Sequence, residues 1–60
     1  MFVELDTRHD AGYTVSLEWD RDSGETQLVV ADRGASSVLV FPVLGENAGE
    51  AFRHPYRYAP

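Results

Sequence analysis

The sequence contains no cysteine, no lysine and no isoleucine. Without cysteine there is neither a disulfide nor a thiolate metal site, and the chain carries no mark of its redox compartment. Without lysine, every long basic side chain is an arginine: Arg8, Arg21, Arg33, Arg53 and Arg57, dispersed along the chain. Five arginines against ten acids leave a net charge of −5. Binding to a phosphate backbone rests on clustered Lys and Arg, so direct contact with nucleic acid is not expected. Arginine alone, beside many Ala, Gly and Val, is the usage of a GC-rich coding sequence. No apolar run approaches the ~20 residues of a membrane-spanning helix. The opening Met1-Phe2-Val3-Glu4 has an acid where a signal peptide has its basic region. A cytoplasmic protein is therefore the expectation.

Apolar residues make up 43% and aromatics 12% of the chain, a globular rather than a disordered composition. Sixty residues allow one domain, 1–60. A domain of this size buries only about 60% of the surface its unfolded chain exposes. With disulfides excluded, it depends on one tight core or on a partner.

The run from Tyr13 to Val43 holds nearly all the long apolar residues. In Tyr13 to Asp20, Tyr13, Val15, Leu17 and Trp19 alternate with Thr14, Ser16, Glu18 and Asp20, the pattern of a strand buried on one face. Thr26 to Arg33 and Ser37 to Val43 read as two further strands. Phe2 to Thr7 reads as a short extra strand, with Val3, Leu5 and Thr7 on one side. Arg8 to Gly12 then forms a polar connection. Arg21 to Gly24 suits a hairpin loop, and Gly34-Ala35 a type II′ turn with Gly at its first central position. Pro42 has no N–H for a ladder, so the last strand is an edge there or ends there.

An even first loop sets Leu17 beside Leu28 and Val15 beside Val30. A two-residue second loop sets Leu28 beside Phe41 and Val30 beside Leu39. Both choices gather Tyr13, Val15, Leu17, Trp19, Leu28, Val30, Leu39, Phe41 and Val43 on one face, the expected core. A one-residue slip would exchange the faces.

Asn47-Ala48-Gly49-Glu50 has the spacing of a capping box. Ala48, Ala51 and Phe52 share a helical face, and Pro55 limits the helix to about two turns. So short a helix forms only by docking, with Phe52 on the core face of the sheet. His54 to Pro60 reads as an extended aromatic tail. The expected fold is α+β and β-rich: a three- to four-stranded antiparallel meander with one short C-terminal helix packed on one face.

Motifs for chemistry are sparse. Asp20-x-Asp22-x-Gly24-Glu25 departs from a calcium loop at its fifth, sixth and twelfth positions and reads as a hairpin turn. His9 and His54, with Asp6 or Asp10, have ligand chemistry but stand far apart in the chain, and two surface histidines are the plainer reading. No serine sits in a nucleophile motif, and Glu18 and Asp20 have no surroundings that would split their pKa values. Tyr13 and Trp19 fall in the core pattern rather than on a stacking platform. No enzyme and no cofactor is expected.

The informative feature is the second sheet face, where Val29, Ala31, Val38 and Val40 form a small apolar patch. Exposed contiguous apolar surface marks an interaction site. The N-terminal strand curling across it, a second copy and a different protein are its three candidate occupants. Tyr and Arg favour interfaces, which adds Arg57 and Tyr58. The expected function is a non-enzymatic protein-interaction module, a small accessory or regulatory subunit, self-associating through this face and the edge strand as a homo-oligomer. One alternative is an acidic decoy for a basic, nucleic-acid-binding surface, using Glu18, Asp20, Asp22 and Asp32. The other is a metal- or small-ligand-binding domain built on His9 and His54.

Overall fold

Four antiparallel strands lie side by side in chain order: β1 (Phe2–Asp10), β2 (Tyr13–Asp20), β3 (Thr26–Asp32) and β4 (Ser37–Val43). The computed structural model describes the whole chain, Met1 to Pro60. A 3-10 turn at Gly45–Asn47 leads into one short helix, α1 (Ala48–Arg53), and a second 3-10 turn, Pro55–Arg57, follows it. The fold is the expected β-rich α+β meander. No helix is long and apolar enough to cross a membrane.

The register is the one the apolar alternation requires. Leu17 pairs with Leu28 and Val15 with Val30, and across the next ladder Leu28 pairs with Phe41 and Val30 with Leu39. Val15, Leu28, Val30 and Phe41 are buried, and Ala51 of α1 completes the core above them. Tyr13, Leu17, Val43, Phe52, Tyr58 and Ala59 pack around this centre. Trp19 and Leu39 do not belong to it, contrary to expectation: Trp19 is only half-buried and Leu39 is 40% exposed. A six-residue helix is about 9 Å long, whereas an eight-residue strand runs about 26 Å. Such a helix does not span the face. With the turn that follows it, it packs toward Tyr13 and leaves Trp19, at the other end of β2, outside the packed centre. Leu39, level with the buried Val15 and Val30, is exposed because β4 is the edge strand.

β1 runs past Thr7 to Asp10, so the expected polar connection shrinks to Ala11-Gly12, with Gly12 at φ +89°. Arg8, His9 and Asp10 stay in the ladder because each finds a polar partner. His9 Nδ1 lies 3.2 Å from Thr14 Oγ1, Tyr13 Oη donates to Asp10 Oδ2 at 3.2 Å, and Arg8 pairs with Asp10. A bulge between Glu4 and Asp6 breaks the alternation read from the sequence: Val3 pairs with Trp19 on the core face and Thr7 with Ser16 on the opposite one. One extra residue in a strand exchanges every side chain beyond it.

The second hairpin also differs from a type II′ turn. Pairing stops at Asp32–Ser37, leaving a four-residue loop, Arg33 to Ser36. Asp32 Oδ1 accepts the N–H groups of Gly34 and Ala35 at 3.0 and 3.1 Å, and the left-handed step falls on Ser36 (φ +53°), not on Gly34. The capping box is absent as well. Asn47 closes the preceding 3-10 turn with φ −101° and ψ −1°, and its side chain makes no cap bond. Glu50 turns instead toward the C-terminal segment, which is a 3-10 turn folded onto the core rather than an extended tail.

Arg8 holds the other end of α1. Its Nε donates to the Phe52 carbonyl at 2.9 Å and Nη2 to the Arg53 carbonyl at 3.0 Å. The guanidinium also lies 5.7 Å from the Phe52 ring centre and 5.8 Å from that of Tyr13. The last carbonyls of a helix lack intrahelical partners and attract positive charge.

Candidate interaction surface

α1 and the C-terminal turn pack on the core face, so the opposite face is left to the strands alone. The register divides that face in two. Toward β1 and β2 it is polar: Thr7, His9, Thr14, Ser16 and Glu18. Thr7 Oγ1 is hydrogen-bonded to Ser16 Oγ at 3.0 Å, and Gln27 Nε2 donates to Glu18 Oε1 at 2.8 Å. Toward β3 and β4 it is apolar, with Val29 paired to Val40 and Ala31 to Val38. Val38 is 63% exposed and Val40 55%, while Val29 and Ala31 are half-buried. The four patch residues read from the sequence are thus brought together as two adjacent cross-strand pairs. β1 pairs with β2 along its length and does not curl across them.

The two sheet edges differ in chemistry. Asp20 N–H donates to the Glu25 carbonyl and Arg33 N–H to the Gly12 carbonyl, at 2.8 and 2.9 Å. The even-numbered residues of β2 therefore bond toward β3, and an antiparallel ladder alternates from there. Ser37, Leu39, Phe41 and Val43 bond inward to β3, and the N–H and C=O groups of Val38 and Val40 face off the edge. Pro42 falls on the same outward series, where its missing N–H disturbs no ladder bond. On β1 the outward N–H of Thr7 is already taken by Asp6 Oδ1 at 2.9 Å. That strand also carries Glu4, Asp6, Arg8 and Asp10 and the bulge. Charges and bulges are the usual guards of an edge. From Gly34 to Gly45, by contrast, no residue is charged.

The C-terminal residues sit apart from this surface. Tyr58 packs against the core, and its hydroxyl donates to Glu50 Oε2 at 2.8 Å. Arg57 remains exposed and donates to Glu50 Oε1 at 2.9 Å. The Tyr58 hydroxyl, then Arg57, hold the Glu50 carboxyl below its ordinary range. The same carboxylate raises the Tyr58 phenol. Tyr56 is the outward ring, edge-on to Tyr13 at 5.7 Å, and with Arg53, His54 and Arg57 it lines a shallow groove. Of the two residues added to the interface for their type, Arg57 is exposed while Tyr58 is half-buried against the core, and Tyr56 is the more exposed ring.

His9 lies beside Thr14 on the polar half of the uncovered face, while His54 follows α1 on the core side. The two rings are not brought together, and no three His, Asp or Glu side chains are grouped as metal ligands. The acids named for a decoy are partly engaged within the chain: Glu18 by Gln27, Asp20 by the Asp22 N–H, and Asp32 by Gly34 and Ala35. Leu39 was missed as a surface residue. Its place between Val38 and Val40, on a strand that Pro42 marks as an edge, is the signal that finds it. The chain matches no known protein family, no curated protein and no solved structure.

Proposed function

We propose that the chain is a non-enzymatic protein-interaction module, an accessory or regulatory subunit, that self-associates through the apolar half of its uncovered face and the β4 edge. The observation that carries this reading is the exposure of Val38 and Val40, at 63% and 55%, on an uncharged edge strand. Contiguous apolar surface on a small domain marks a contact site. Fully burying a valine side chain stabilises by about 1.5–3 kcal/mol, so the exposed parts of both valines in two copies supply on the order of 4 kcal/mol. Association costs about 4–15 kcal/mol in lost freedom. Backbone bonds and Leu39 must contribute too, and the complex forms at micromolar concentrations or above.

Sedimentation equilibrium tests the reading. The wild-type chain is expected to associate as its concentration rises through the high micromolar range, and Val40→Asp to stay folded and monomeric. A wild-type chain that remains a clean monomer at those concentrations overturns it.

A further inference from the structure

We infer that the second copy binds edge to edge, β4 against β4, about a two-fold axis at Leu39, joining two four-stranded sheets into one of eight. This rests on the self-association proposed above and specifies its geometry.

Three observations converge on the arrangement. The N–H and C=O groups of Val38 and Val40 face off the sheet with no neighbouring strand, because β4 is last in the order. The opposite edge is closed by the Leu5 bulge, four charged side chains and the Asp6 carboxylate on the Thr7 N–H. Finally, each copy carries a net charge of −5, so two copies meet at least cost where neither has charge, and Gly34 to Gly45 contains none.

The occupant is a second copy because the segment is its own complement. Val38-Leu39-Val40 reads the same in both directions. Antiparallel pairing about Leu39 sets Val38 against Val40 of the second copy, and Val40 against its Val38. Both pairs use outward groups, so each Val38 N–H donates to a Val40 carbonyl and each Val40 N–H to a Val38 carbonyl. Pro42 ends the ladder on either side because it has no N–H to give. The two Leu39 residues face each other as a non-hydrogen-bonded pair, where Cα atoms approach to about 4.5 Å. On the uncovered face, the four valines at the seam make one apolar stripe continuous with Val29 and Ala31 of both copies.

A single-cysteine experiment tests the register, since the chain has no thiol of its own. A Cα separation near 4.5 Å lies within the range a disulfide spans. Leu39→Cys is expected to form a covalent dimer under mild oxidation at concentrations where the wild type associates. His9→Cys, exposed on β1, is expected not to. In the wild-type chain, amide exchange at Val38 and Val40 should slow as concentration rises. That readout requires no substitution and decides the matter if Leu39→Cys misfolds. Association without a cross-link in the Leu39→Cys variant, and with exchange at Val38 and Val40 unchanged, overturns edge pairing and leaves the self-association reading standing. Absence of association at high micromolar concentration overturns both.

Discussion

Gly24 and Ser36 hold the same place in two loops of one build. Gly24 directly precedes Glu25, whose carbonyl accepts the Asp20 N–H at 2.8 Å, and Ser36 directly precedes Ser37, which pairs with Asp32. Each is thus the last of four loop residues, and each takes the left-handed step, at φ +77° and +53°. Each loop is entered through an aspartate whose Oδ1 accepts an N–H two residues on: Asp20 from Asp22 at 2.9 Å, Asp32 from Gly34 at 3.0 Å. An arginine follows both aspartates. In the first loop glycine occupies the position that needs it. In the second, glycine sits two positions early and a serine bears the strain.

Exchanging those two residues should stabilise the protein. A left-handed residue with a Cβ is disfavoured by about 1–2 kcal/mol, partly offset by the unfolded-chain entropy that glycine adds. Ser36→Gly is therefore expected to gain about 0.5–1 kcal/mol. Gly34→Ala meets only Asp32 Oδ1, at 3.5 Å, and Gly34 has no positive φ to preserve. It should gain about 0.4–1 kcal/mol by restricting the unfolded chain. Urea midpoints of the single and double variants give the measurement. A lowered midpoint for Ser36→Gly would show that the serine is not strained.

The Arg8 clamp should be the most sensitive polar contact in the fold. Arg8→Met keeps the aliphatic stem but leaves the Phe52 and Arg53 carbonyls without the fork. Hydrogen bonds to a charged group contribute about 1.5–3 kcal/mol. With Arg8 partly exposed, a loss of about 2 kcal/mol is expected, or roughly 10 °C in Tm for so small a domain. Arg8→Lys should recover less than half, because an ammonium neither spans two carbonyls as a planar fork nor stacks on a ring. Full recovery by lysine in a thermal melt would reduce the clamp to a charge effect.

How far the fold was legible follows the range over which each determinant acts. Strand pairing from Val15 to Phe41 could be read because alternation and loop parity are local, and a one-residue slip would expose the core. The Leu5 bulge could not, because one inserted residue leaves composition and local hydropathy intact. The Asn47–Glu50 spacing fits a cap, yet the chain enters α1 from a 3-10 turn that the spacing does not encode. Arg8 meets Phe52 across 44 positions, and no periodicity links them. The patch Val29, Ala31, Val38 and Val40 was legible for the same reason as the core, being the other half of the same alternation. The bareness of the edge beside it required knowing which groups point outward.

The Glu50–Tyr58 bond gives the docked C-terminus a pH window. Glu50 is lowered from 4.5, first by the Tyr58 hydroxyl and then by Arg57. Its contribution is present above 4.5 and lost as pH falls through the lowered value. Asp10, lowered from 3.8 by the Ala11 N–H, Tyr13 and Arg8, acts in the same direction. Tyr58 is raised from 10.0 by Glu50. Its contribution is whole below 10.0 and lost as pH rises through the raised value. Stability should therefore hold across neutral pH and fall on both sides. Tyr58→Phe should remove the alkaline fall specific to this residue and bring the Glu50 titration, followed by NMR, back toward its ordinary range. An unchanged Glu50 titration in that variant would show the bond to be absent in solution.

Salt separates the self-association reading from the acidic decoy in one measurement. A decoy works by attraction between its acids and a basic surface, and salt screens attraction, so its binding weakens as ionic strength rises. Two copies of this chain, each at −5, repel at long range and meet only along a segment without charge. Salt screens that repulsion while leaving backbone bonds and valine contacts nearly untouched, so their association should tighten. Raising ionic strength from about 0.01 M to 0.15 M shortens the Debye length from about 30 Å to about 8 Å, less than half the 21 Å middle dimension of the monomer. Charges on the far sides of two paired sheets then no longer sense each other. Sedimentation at the two salt concentrations should shift the monomer–dimer balance toward dimer at the higher one. A dimer that loosens with salt would mean that charged residues lie at the contact, and the β4 edge would not be it.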